Sequence, residues 1–78
     1  MNTAELRAAL HEAGVQDRAY DFDSTQRDEV YCLERTEAGW TTYYRERGIR
    51  RDERHFERED EACHHVFNLV TRDPTTRR

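Results

Sequence analysis

Apolar residues along this chain change period several times, and the changes divide it into five elements. Leu6, Leu10 and Ala13 recur at helical spacing. Asn2 stands ahead of them as a capping residue, with Glu5 three positions later in capping-box position. Gly14 is placed to end this first helix. Residues 19–22 read as a short strand and residues 23–26 as a loop. Residues 29–35, with Val30, Tyr31, Cys32 and Leu33, and residues 40–47, with Thr41, Thr42, Tyr43 and Tyr44, read as two longer strands. Between them, Glu37-Ala38-Gly39 suits a three-residue hairpin loop with Gly39 in the left-handed position. Residues 48–54 are polar and read as a loop, with His55-Phe56 available as a short edge strand. A second helix is predicted from about residue 58 to residue 71. Its stripe is Cys63, Val66, Phe67 and Val70, and Glu59, Asp60 and Glu61 favour its dipole in the first turn. Asp73-Pro74 stops it, and residues 74–78 are expected to fray.

The resulting order, α-β-β-β-α, predicts an α+β fold. Its sheet is expected to be a three- or four-stranded antiparallel meander, with the N-terminal and C-terminal helices on one face and residues 1–73 forming a single domain. The three-residue loop fixes an expected register. Val30 and Cys32 then share a face with Trp40, Thr42 and Tyr44, and Tyr31 and Leu33 share the other with Tyr43, Arg45 and Arg47. Taking the first set as the helix-covered side, the expected core is Leu6, Leu10, Val30, Trp40, Tyr44, Phe56, Val66, Phe67 and Val70. Truncation of a buried Phe67 would cost roughly 3–5 kcal/mol.

Composition changes this picture in two ways. Charged residues make up 38% of the 78 positions and hydrophobic ones 35%, a balance that approaches disorder, but eight aromatics supply core material. Residues 1–44 hold nine acids and four Arg, a net of −5, and residues 45–78 hold eight acids and nine Arg, a net of +1. The acidic first half disfavours nucleic acid and suits a basic protein surface. Asp21, Asp23, Asp28 and Glu29 surround one loop there, and Asp21, Asp23 and Asp28 form a candidate steering patch. No apolar stretch approaches membrane-spanning length, and the first 20 residues lack the apolar core of a signal peptide. The expectation is a cytoplasmic protein with Cys32 and Cys63 as free thiols.

Little points to catalysis. Adjacent residues on a helix project about 100° apart, so Cys63-His64-His65 cannot close on one ion, and neither metal nor cofactor is expected. Both thiols fall on apolar faces, where burial keeps them protonated. No phosphate loop, nucleophile elbow or zinc-protease motif is present. The arginines of residues 45–58 are interleaved with Glu46, Asp52, Glu53 and Glu57, which cancel the charge an RNA site would need. What the pattern offers instead is an uncovered face of Tyr31, Leu33, Tyr43, Arg45 and Arg47, and Tyr and Arg are enriched at binding hot spots. A non-enzymatic protein-binding domain is therefore expected. The alternative is a homodimeric regulatory or structural domain that pairs through the same hairpin.

Three stretches carry a resemblance to a known family. They are residues 6–20, the hairpin of residues 30–48 with its Trp40-Thr-Thr-Tyr-Tyr-Arg-Glu-Arg-Gly48 run, and residues 56–67 with the opening Glu59-Asp-Glu-Ala-Cys63. Together they resemble the small cytoplasmic immunity proteins encoded beside bacterial polymorphic toxins. The family pattern has a capping Ser where this chain has Arg58. The resemblance implies an inhibitor that sequesters a toxin domain and has no catalytic activity of its own.

Overall fold

The computed structural model describes residues 1–23 and 26–78, so Ser24 and Thr25 of the loop expected at residues 23–26 lie outside the described residues. The elements are α1 (Thr3–Glu12), β1 (Tyr20–Asp21), β2 (Val30–Thr36), β3 (Gly39–Glu46), β4 (Ile49–Phe56) and α2 (Glu59–Arg72). They form an α+β fold whose four-stranded sheet has the order β1-β2-β3-β4. The sheet is mixed. β1 runs parallel to β2, while β2, β3 and β4 form the antiparallel meander. The expectation of a purely antiparallel sheet is corrected at β1. The parallel pairing is short, with Tyr20 opposing Tyr31 and Asp21 opposing Cys32.

α1 starts as its cap predicts. The Glu5 amide donates to the Asn2 side chain and the Asn2 amide donates to the Glu5 carboxylate, both at 2.8 Å. Both helices lie on one face of the sheet. Leu6 and Leu10 of α1 and Ala62, Cys63, Val66 and Val70 of α2 close over Leu33, with Val15 and Ala19 at the margin. Trp40, Phe56, Tyr31 and Phe67 pack against this cluster while remaining partly exposed. Phe67 is thus a flank of the core and not its centre.

α2 begins without a side-chain cap, because its N-cap residue is Arg58. Arg58 pairs instead with Asp60 at 3.3 Å on the surface. Arg58→Ser should let a hydroxyl accept from the first turn and raise the unfolding free energy by about 1 kcal/mol. Thermal unfolding of the variant would show this, and an unchanged midpoint would mean the exposed ion pair already compensates.

Residues 74–78, expected to fray, are held. The Gln16 amide donates to the Thr76 carbonyl at 2.7 Å and the Arg78 amide to the Gly14 carbonyl at 2.8 Å. The Thr76 hydroxyl is buried and donates to the Val70 carbonyl at 2.8 Å. Pro74 ends the helix as expected, but it does so inside a short 3-10 turn capped by Asp73.

The hairpin register differs from the expected one by one residue. Thr36 pairs with Gly39, leaving a two-residue Glu37-Ala38 loop, so Tyr31 opposes Tyr44, Cys32 opposes Tyr43 and Leu33 opposes Thr42. Gly39 belongs to the strand at φ +139°, and a Cβ there would collide with the Phe56 carbonyl of β4. Because side chains alternate, the slip moves all of β2 to the opposite face relative to β3. Trp40, Thr42 and Tyr44 do lie on the helix side, but their companions are Tyr31 and Leu33. Val30, Cys32 and Tyr43 form a separate cluster on the far face.

The predicted loop of residues 48–54 is mostly β4. Arg47 and Gly48, both at positive φ, form the two-residue turn that leads into it. Farther along, Asp52 and Glu53 together oppose Tyr43, a bulge with Asp52 at φ +56°. The two-residue turn, ahead of the bulge, sets Arg50 opposite Arg45 on the face away from the helices. β4 is an edge strand, and its charges and bulge guard it against pairing with another chain.

Candidate functional site

Among the described residues no helix covers the second face of the sheet. Arg45 and Arg50 lie on it. Val30, Cys32 and Tyr43 form a cluster there and are only 1%, 4% and 6% exposed. The Arg50 guanidinium lies over the Tyr43 ring at 4.1 Å from its centre. The same guanidinium reaches Glu34 at 2.9 Å and Glu53 at 3.0 Å. The Tyr43 hydroxyl donates to Glu34 through a short hydrogen bond, so Glu34 gathers Tyr43 and Arg50 at once. Arg45 holds Asp28 at 3.3 Å, and Asp28 also accepts from the Gly48 amide at 2.9 Å. Thr41 and His55 extend the lattice toward the other end of the strands through a 2.8 Å hydrogen bond. A hollow of about 200 Å³ opens among Asp21, Gln26, Cys32, Glu34, Tyr43, Arg45 and Arg50.

A second and larger concavity lies around the end of the sheet, on the helix side. It is a groove of about 600 Å³. Tyr31 and Tyr44 meet in its wall with ring centres 4.8 Å apart and planes tilted by 60°. The Tyr31 hydroxyl donates to Asp73 at 2.9 Å. Asp28 lines this groove while its partner Arg45 lines the smaller hollow, so the two concavities share one ion pair as a divider.

The eight residues singled out from sequence are thus dispersed. Tyr43 and Arg45 are on the uncovered face as expected. Leu33 is 3% exposed in the core beneath the helices, and Tyr31 lies on that same side at the groove; the register slip corrects both placements. Arg47 occupies the tip of the β3–β4 turn. Asp21 is buried at 5% exposure and accepts from the Asp23 amide at 3.0 Å. Asp23 is exposed but pairs with Arg7 at 2.8 Å, and Asp28 pairs with Arg45. The acids expected to steer a partner are therefore partly engaged within the chain. Glu34 and Arg50, which organise the uncovered face, were missed. Arg50 could have been found only by recognising Arg47-Gly48 as a turn.

Burial and hydrogen bonding act in one direction on the tyrosines. Desolvation first, then the bond to Asp73, pushes the Tyr31 hydroxyl up to about 12, and Asp73 is held below the usual carboxylate range chiefly by Thr75. Desolvation, then the bond to Glu34, raises Tyr43 as well, and burial raises Cys32 to about 11. A phenol whose folded pKa exceeds its unfolded value stabilises the fold below the unfolded value and ceases to do so as pH rises through the folded one. Stability should therefore fall between pH 10 and about 12. Tyr31→Phe should make that fall shallower in urea titrations across this range. An unchanged slope would show that Tyr31 ionises freely.

The histidines of the Cys63-His64-His65 run have separate neighbours. His64 Nδ1 lies 2.7 Å from the Asp60 carbonyl, and the His65 ring rests against Phe56 with centres 5.2 Å apart. Among the described residues no helix is long and apolar enough to cross a membrane. No family model matches the chain, and neither a curated protein nor a solved structure matches it.

Proposed function

We propose that this chain is a non-enzymatic protein-binding domain that acts in the cytoplasm as an immunity protein, neutralising a cognate bacterial toxin by docking on the uncovered face of its sheet. The observation that carries the binding role is the Glu34–Tyr43–Arg50 lattice. It presents a guanidinium already held in place on a buried ring, so few rotamers remain to be lost on contact. The word immunity comes from the resemblance of the hairpin and α2 sequences. The acidic balance of residues 1–44 supports a basic toxin domain as the partner. The homodimer alternative needs an apolar second face, and the burial of Val30, Cys32 and Tyr43 leaves little apolar area there for a second copy.

Co-expression tests the reading. The product of the adjacent gene, expressed alone, should arrest growth, and this chain should restore it and co-purify with it. An adjacent product that is neither toxic nor bound would sink the proposal.

A further inference from the structure

Four of the eight aromatic rings in this chain lie under its own arginines. Arg7 lies 5.6 Å from the centre of Phe22, Arg35 lies 5.8 Å from Trp40, Arg50 lies 4.1 Å from Tyr43 and Arg54 lies 5.6 Å from Phe56. Tyr31 and Tyr44, like Tyr20 and Phe67, are not among them. The two rings differ from the other uncapped ones in meeting each other in the wall of the groove of about 600 Å³.

The charges around that wall are those a cation would need. Glu29 and Asp73 line the groove with the two rings. Together with Glu46 they act on the Tyr44 hydroxyl, whose pKa is raised by burial first and by these carboxylates after it. Asp73 is occupied by Tyr31 and Thr75, and Glu46 by Arg51 at 3.2 Å. The Glu29 carboxylate forms no ion pair or hydrogen bond with the described residues. Its backbone is held at φ +60° while its amide donates to the Arg45 carbonyl at 2.7 Å. Two arginines also line the groove. Arg27 sends its guanidinium to the Tyr20 carbonyl at 2.6 Å, and Arg18 stands exposed on the rim.

We infer that the Tyr31–Tyr44 groove is a receptor for an arginine side chain of the protein partner, with the guanidinium stacked on Tyr44 and paired with Glu29. Arginine is favoured over lysine because a planar guanidinium can stack on a ring and meet a carboxylate in the same plane. The inference rests on the protein-binding reading and names the partner chemistry of one part of the surface.

The test does not require the partner. The full chain is titrated with the capped tripeptide Gly-Arg-Gly and followed by two-dimensional NMR, with Gly-citrulline-Gly as the neutral isostere. Saturable shifts confined to residues near Tyr31, Tyr44 and Glu29 are expected with the arginine peptide and not with citrulline. Glu29→Gln should weaken binding by about fivefold or more, and Arg18→Glu should strengthen it, while each variant keeps a dispersed spectrum. Absence of saturation, equal binding of the citrulline peptide, or indifference to Glu29→Gln would overturn the inference. If the peptide fails while the toxin still binds, the groove assignment falls and the binding role stands; if the peptide saturates and no toxin binds, the binding role is what fails.

Discussion

Leu10→Ala is expected to lower the unfolding free energy by about 3 kcal/mol. Leu10 is fully buried, and it lies with Leu6 between α1 and the α2 stripe of Ala62, Cys63 and Val66. Its loss removes transfer free energy and leaves a cavity that two helices joined to a sheet cannot easily collapse. A domain of this size has only about 5–10 kcal/mol to lose, so the variant should be visibly destabilised in urea. Phe67→Ala should cost less than Leu10→Ala, because Phe67 remains partly exposed at the flank of the cluster. If Phe67→Ala were the more damaging of the two, the account of the core would be wrong.

That comparison shows where the sequence was legible. Helical elements declared themselves through caps and stripes. Asn2 and Glu5 set the start of α1, and the spacing of Cys63, Val66 and Val70 marked the buried side of α2. Phe67 kept the spacing but sits at the edge of the stripe, a distinction that periodicity alone does not resolve. The strands β2 and β3 were legible from their β-branched and aromatic content, but their pairing was not. Whether Gly39 belongs to the turn or to the strand changes the register by one, and nothing local to Glu37-Ala38-Gly39 decides it. The close approach of the Phe56 carbonyl to Gly39 decides it, and that contact comes from β4, 17 positions later in the chain.

β4 itself carries the weakest signal. Its run Ile49-Arg-Arg-Asp-Glu-Arg-His-Phe56 has no apolar alternation, because β4 carries arginines on both faces, Arg50 over Tyr43 on the uncovered side and Arg54 beside Phe56 on the helix side. Its strand character comes from pairing with β3 and not from propensity. The candidate site inherits both difficulties. Tyr43 and Arg45 were placed on the uncovered face, whereas Tyr31 and Leu33 went with them only through the wrong register. Arg50 and Glu34 required β4 to be seen.

Arg50→Ala is expected to weaken partner binding by about 2 kcal/mol while changing the stability of the free chain by less than about 1 kcal/mol. Arg50 is substantially exposed and its ion pairs with Glu34 and Glu53 are near the surface, so the fold does not depend on them. In the complex the same guanidinium would be desolvated against the partner with its orientation already set by the Tyr43 ring. Tyr43→Ala is a poorer probe, because a side chain only 6% exposed carries stability as well as contact. Glu34→Gln should have an intermediate effect, since it keeps a hydrogen-bond acceptor for Tyr43 and removes the charge that anchors Arg50.

The central claim is that the uncovered, arginine-bearing face of the sheet is where this chain meets a protein. It is tested most directly by calorimetric titration of the proposed partner, a toxin domain if the adjacent gene encodes one, with the wild-type chain and with Arg50→Ala. The account predicts tight binding by the wild type and affinity lower by about thirtyfold in the variant, with both chains equally folded by circular dichroism. Affinities within twofold of each other would place the interface elsewhere on the molecule and contradict the account.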